Sequence, residues 1–199
     1  MAEAGATTSN SNLPRFLFGG AFTCVFPQEF QNVSTFREIP DNQEVFSHIV
    51  TDQSIIFELV EYEDIPDDQI AQFHFKELTA ANDASTSTVV SVDCVPTEPG
   101  TMDDCSAIWL LSGQQAVAKF NEPDSGRNLV DLYLAVFRLE QYQTDMLVTL
   151  NNPVLISQCS SSAVDNPPLQ TGALLAGLFR EIVQSLRLVD SSIFGETTF

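Results

Sequence analysis

Short runs rich in Val, Ile, Leu and Phe recur along this chain, and several are apolar on both faces of a strand. Thr88–Val95, Ser106–Leu111, Leu129–Leu139 and Asp145–Leu150 read as strands. Successive strand residues point to opposite faces, so such a run must be covered above and below. Glu44–Val50 places Phe46, His48 and Val50 on one face and Val45, Ser47 and Ile49 on the other. Ser54–Val60 puts Ile55, Phe57 and Leu59 together. Phe16–Phe18 and Ala21–Phe26 flank Gly19-Gly20, which reads as a tight turn or bulge between strands. Ser112-Gly113 predicts a hairpin leading into Gln115–Phe120.

The cover is expected to be helical. Pro66–Leu78 opens with Pro-Asp-Asp, whose acids suit a helix N-terminus, and Ile70, Phe73 and Leu78 share a stripe. Thr171–Leu188 carries Leu175, Leu178, Phe179, Ile182, Val183 and Leu186 at helical spacing, with Arg187 in its last turn. Strands in series with two inserted helices predict an α+β domain around an antiparallel sheet. With 199 residues the chain is the size of one domain. Residues 1–14, mostly Ala, Thr, Ser and Asn, are expected to be a disordered tail, and 15–199 a single domain. Residues 121–128 and 157–170 read as surface connections, and no repeat is visible.

Charge narrows the function. Twenty-seven acids against eight bases give −19. That balance argues against nucleic acid and anionic membranes, which need positive charge facing phosphate. No charged, apolar leader pattern is visible at the N-terminus and no apolar run approaches a membrane span, so no membrane insertion is expected. The four cysteines (Cys24, Cys94, Cys105, Cys159) are too scattered for a disulfide framework and read as reduced thiols. Cys94 and Cys105 could meet across the intervening loop, but a buried thiol is the preferred reading.

Sites of covalent chemistry find little support. GxxxxGK[ST] and GxGxxG are missing, as are HExxH, CxxC and the GxSxG elbow. His48 reads as a strand residue at the sheet rim and His74 as a helix residue, so neither a metal nor a cofactor is expected. Glu58–Asp68 holds six acids without the glycine and ligand spacing of a calcium loop.

The acids are unevenly spread. Residues 28–68 contain eleven acids and one base, Arg37, so −10 of the −19 lies in about a fifth of the chain. Such a block is either a solvated face or a docking surface for Lys and Arg. Within it, Pro40-Asp41-Asn42 is turn chemistry leading into the strand that Glu44 begins. Asp41, Asn42, Gln43 and Glu44 therefore present two carboxylates and two amides at the mouth of a strand.

Several segments carry a family resemblance: LFGGAFTCVFP, Pro40-Asp41-Asn42-Gln43-Glu44-Val45-Phe46 and Thr51-Asp52-Gln53-Ser54-Ile55-Ile56. Trp109-Leu110-Leu111-Ser112-Gly113, Arg138–Asp145 and Asp190-Ser191-Ser192-Ile193-Phe194-Gly195 join them. In this order they resemble the Ran guanine-nucleotide release factor, or Mog, family. The resemblance implies a six-stranded antiparallel sheet flanked by helices on both faces, as in the PsbP proteins. It implies a monomer that binds the GTPase Ran in nucleus and cytoplasm and promotes nucleotide release by binding alone. The implied contact residues are Asp41 and Glu44 with Asn42 and Gln43, and Glu58 and Glu61 in SIIFELVE. It leaves open whether another Ran-binding protein assists. The alternative is a non-exchanging acidic adaptor of the same fold, for example in trafficking of a sodium channel. A PsbP-like photosynthetic subunit would call for an Arg-rich transit peptide, and no Arg precedes Arg15.

Overall fold

The computed structural model describes residues 13–97, 102–105, 107–118, 124–161 and 172–195. The strands are β1 (Leu13–Leu17), β2 (Phe22–Phe26), β3 (Phe30–Asn32), β4 (Gln43–His48) and β5 (Ser54–Glu61). β6 (Thr86–Val95), β7 (Ile108–Val117), β8 (Asn128–Leu139), β9 (Thr144–Leu155) and β10 (Arg187–Leu188) follow, with helices α1 (Asp67–Ala81) and α2 (Gly172–Ser185). Seven strands form one antiparallel sheet in the order β3-β4-β5-β9-β8-β7-β6, and β1-β2-β10 form a second, smaller sheet. The α+β class is as expected, but the main sheet has seven strands rather than six. The additional edge strand arises because Phe30, Gln31 and Asn32 pair with His48, Ser47 and Phe46. The expected tail lies outside the described residues apart from Leu13 and Pro14, which pair with Phe26 and Val25. Among the described residues no helix is long and apolar enough to cross a membrane.

Both faces of the central strands are covered, as doubly apolar runs require. The cover expected over Thr88–Val95 is not found among the described residues: β6 lies at the edge and most of it is exposed. Along β8, Leu132, Leu134 and Val136 pack with Ile70, Ala71 and Phe75 of α1. The alternate residues Ala135, Phe137 and Leu139 pack on the other face with Leu175, Phe179, Ile182 and Val183 of α2. The small sheet completes that second layer through Phe22, Cys24 and Phe26. Each such fully buried large side chain contributes about 1.5–3 kcal/mol, so the central strands anchor the molecule. The α2 stripe is as the spacing predicts, but the helix stops at Ser185. There the Ser185 hydroxyl donates to Ile182 O at 2.8 Å and accepts the Val25 N–H at 2.8 Å. Arg187, expected in the last helical turn, instead pairs with Thr23 in β10.

Two glycine readings part company. Phe18–Gly20 forms a single tight turn with φ of 68° at Gly19 and 103° at Gly20, a conformation that favours glycine. Ser112-Gly113 is no hairpin: β7 runs straight through it, and Gly113 pairs with Val89 and Leu132. A Cβ at Gly113 would lie 2.7 Å from the Phe75 ring. The glycine lets α1 press its phenylalanine onto the sheet, so its role is close approach rather than a turn.

Candidate functional site

The Pro40–Glu44 segment is built as a turn locked to β5. Gln43 N–H donates to Pro40 O at 2.9 Å and closes the turn. Asn42 then clasps Leu59 twice, its carbonyl accepting the Leu59 N–H at 2.9 Å and its side-chain amide donating to Leu59 O at 3.0 Å. Register places Gln43 opposite Glu58, and the Gln43 amide donates to Glu58 Oε1 at 2.6 Å. Glu44 lies opposite the buried Phe57, on the other face, where its Oε1 accepts the Phe18 N–H at 2.5 Å. Glu44 and Glu58 therefore project from opposite faces of the strand pair. Glu61 is exposed at the end of β5, about 10 Å further along the strand than Glu58.

Asp41, Gln43 and Glu44 line one pocket of about 430 Å³, walled by Phe18, Ile39 and Ile193. Asn42, Glu58 and Glu61 stand outside it. Asp41 is exposed at the rim, while Glu44 is half-buried. Burial pushes the Glu44 carboxyl above its usual range, and the Phe18 N–H offsets part of that. The pocket thus presents one carboxylate ready to gain from a cation and a second at its mouth.

A second cluster uses its acids differently. Arg138 is fully buried, and its Nε donates to Asp145 Oδ1 at 3.1 Å. Its other nitrogens donate to Asp67 Oδ1 at 2.9 Å, Ile65 O at 3.2 Å and Glu63 O at 2.6 Å. The guanidinium lies 4.0 Å from the Tyr62 ring centroid. Asp145 Oδ2 is 3.1 Å from His74 Nε2, so the helix histidine closes the network. Part of the Glu58–Asp68 run is therefore tied down by a buried cation. The signal for this was a single Arg in LAVFRLEQY, inside a strand apolar on both faces.

The other sequence candidates resolve simply. His48 ends β4, and its Nδ1 accepts the N–H groups of Val50 and Thr51, which makes it a turn cap at the sheet rim. Burial lowers its pKa, opposed by the charge of Glu29. No group of metal-ligating side chains occurs among the described residues. Cys94 is exposed and unpaired, while Cys105 is buried and donates to Ala107 O. Burial raises the Cys105 and Cys24 thiols to about 11, which keeps them protonated. Phe18 and Ile193 escaped the sequence reading because only the tertiary fold brings them to Asp41.

Residues 15–153 match the family described as Ran-interacting Mog1 protein. The chain belongs to that family. The Danio rerio protein named Ran guanine nucleotide release factor is 46% identical over 187 residues, covering 92% of this chain and all of that one. The Saccharomyces cerevisiae nuclear import protein MOG1 is 30% identical over 204 residues, covering 96% and 88%. The solved structure of the Saccharomyces cerevisiae Ran-binding protein Mog1p superposes with a TM-score of 0.69 at 28% identity, over 94% of this chain and all of that one. A cyanobacterial PsbP from Synechocystis gives 0.56 at 12% identity over 95% and 99%, a likeness of fold alone.

Proposed function

We propose that this chain binds the GTPase Ran and promotes release of its guanine nucleotide, acting by binding alone, in the nucleus and cytoplasm. The observation that carries the reading is the acidic pocket at the start of β4 in a Ran-interacting Mog1 family member. The names of its relatives, a Ran guanine nucleotide release factor and a nuclear import protein, support the same partner. Asp41 and Glu44 form the centre of the contact, and Glu61, on the same face as Glu44, extends it along β5. The partner reaches Glu58 on the opposite face around the end of the strand pair. Asn42 and Gln43 orient it, the first by clasping Leu59 and the second by holding Glu58.

A release factor must hold the nucleotide-free GTPase more tightly than the loaded one, and each ~1.4 kcal/mol of difference weakens nucleotide affinity tenfold. GTPases grip nucleotide through a P-loop lysine, backbone N–H groups and Mg²⁺. Carboxylates fixed on a rigid strand edge compete for such cations. Glu44 suits the task because its partial burial makes its charge costly until a Lys or Arg arrives. The test is release of fluorescent GDP and GTP from Ran with stoichiometric amounts of this chain. Acceleration is expected. Ran captured on the immobilised chain without accelerated release would select the non-exchanging adaptor instead.

A further inference from the structure

The two edges of the large sheet are finished differently. β3 offers three residues between turns. β6 ends the sheet on the other side with ten residues, about 33 Å of edge. Among the described residues no strand pairs with its outer side. Natural edges are blunted by shortness, by charged side chains (Lys above all), by Pro or by bulges. β6 is long and has neither Lys nor Pro, keeping only one acid and one bulge; its sequence TSTVVSVDCV is β-branched, with Val90 72% and Val89 40% exposed. Its sole interruption is a register shift between Val89 and Ser91, which leaves Ser91–Val95 as an unbroken stretch around one charge, Asp93.

We propose that β6 is a docking edge for an extended, basic segment of a partner protein, which adds to the sheet as an eighth strand. A row of outward N–H and C=O groups recognises main chain and needs no particular sequence, so neighbouring side chains set the preference. Here they favour cations. A Lys or Arg directly opposite Asp93 would sit about 5 Å away between Cβ atoms. Asp93 is exposed, and so is Glu77 on α1, against one exposed lysine there, Lys76. The Arg127–Asp83 pair before the strand is neutral. A net charge of −19 opposes pairing with a second copy through this edge. β4 and β6 are five strand spacings apart, roughly 24 Å, so the edge works independently of the acidic pocket.

The experiment uses the full chain and a labelled ten-residue peptide alternating lysine with valine. Binding is expected by fluorescence anisotropy, with hydrogen-exchange protection appearing across residues 86–95. The same peptide N-methylated at every second residue keeps its charge but cannot form the ladder, and should bind at least roughly tenfold more weakly. A glutamate-for-lysine peptide should not bind. Val90→Lys with Asp93→Lys, both exposed, should weaken the lysine peptide by a similar factor without altering the melting curve. Equal affinity for the N-methylated peptide, or protection at β1 or β3 instead, overturns the proposal. So does no binding at all, or self-association that protects β6 without peptide. Should the double variant misfold, the N-methylated peptide on the unaltered chain still decides.

Discussion

Two groups of carboxylates flank opposite ends of the same structural problem, and the chain treats them in opposite ways. Around Arg138, Asp145 is fully buried and Asp67 is drawn in beside it, each bonded to a cation of the chain itself. At the start of β4, Glu44 and Glu58 receive only neutral donors, the Phe18 N–H and the Gln43 amide. Among the described residues no cation of the chain pairs with Asp41, Glu44, Glu58 or Glu61. A dense acidic block is therefore two objects. One is architecture that fixes the segment from Tyr62 to Asp67; the other is charge that no cation among the described residues neutralises.

The largest effect should come from the first object. Arg138→Met leaves Asp145 buried without its cation, which should cost about 3–5 kcal/mol. For a chain this size the melting temperature should fall on the order of 10 °C. An unchanged melting curve would break the comparison, because Arg138 would then not be structural. Gly113→Ala should rank next, at about 1–3 kcal/mol, since the new methyl collides with Phe75 and displaces the helix that carries Asp67. Chemical denaturation would register this loss, while nucleotide release by the folded fraction should stay normal. Asn42→Ala should cost about 1 kcal/mol through the bond to Leu59 O, also read by denaturant midpoint.

The smallest effect has a sign that runs against intuition. Burial raises the Glu44 pKa, so the folded chain holds that proton more tightly than the unfolded chain does. Stability from this group is complete below the ordinary glutamate value and is lost as pH rises through the raised one. Glu44→Gln, which keeps an acceptor for the Phe18 N–H, should therefore gain on the unsubstituted chain as pH rises from about 4 towards neutrality. Melting curves across that range would show it. A variant that loses ground with rising pH would mean the carboxylate stabilises the fold, placing Glu44 with the architectural acids.

Much of the fold was legible because period-2 and period-3.6 patterns are local. The stripe of α2 and the doubly apolar β8 both predicted their packing. Gly113 was misread because a turn glycine and a close-packing glycine look alike until Phe75 is known to lie over it. β3 was too short to carry a pattern, and the end of α2 depends on Ser185 reaching Val25 across the fold. At the candidate site the strand-mouth carboxylates were visible in sequence. Their separation onto two faces follows from the register of β4 on β5, and the Phe18 partner from a turn far away in the chain. Arg138 left a sign, a lone cation in an apolar strand, but its partners Glu63, Ile65 and Asp67 come from another segment.

The most direct test is release of labelled GDP from Ran by the double variant Asp41→Asn with Glu44→Gln. Its melting temperature at neutral pH should equal or exceed that of the unsubstituted chain, while release slows by roughly tenfold or more, equivalent to ~1.4 kcal/mol of lost differential binding. A folded variant that releases nucleotide at the unsubstituted rate would contradict the assignment of these carboxylates to the partner.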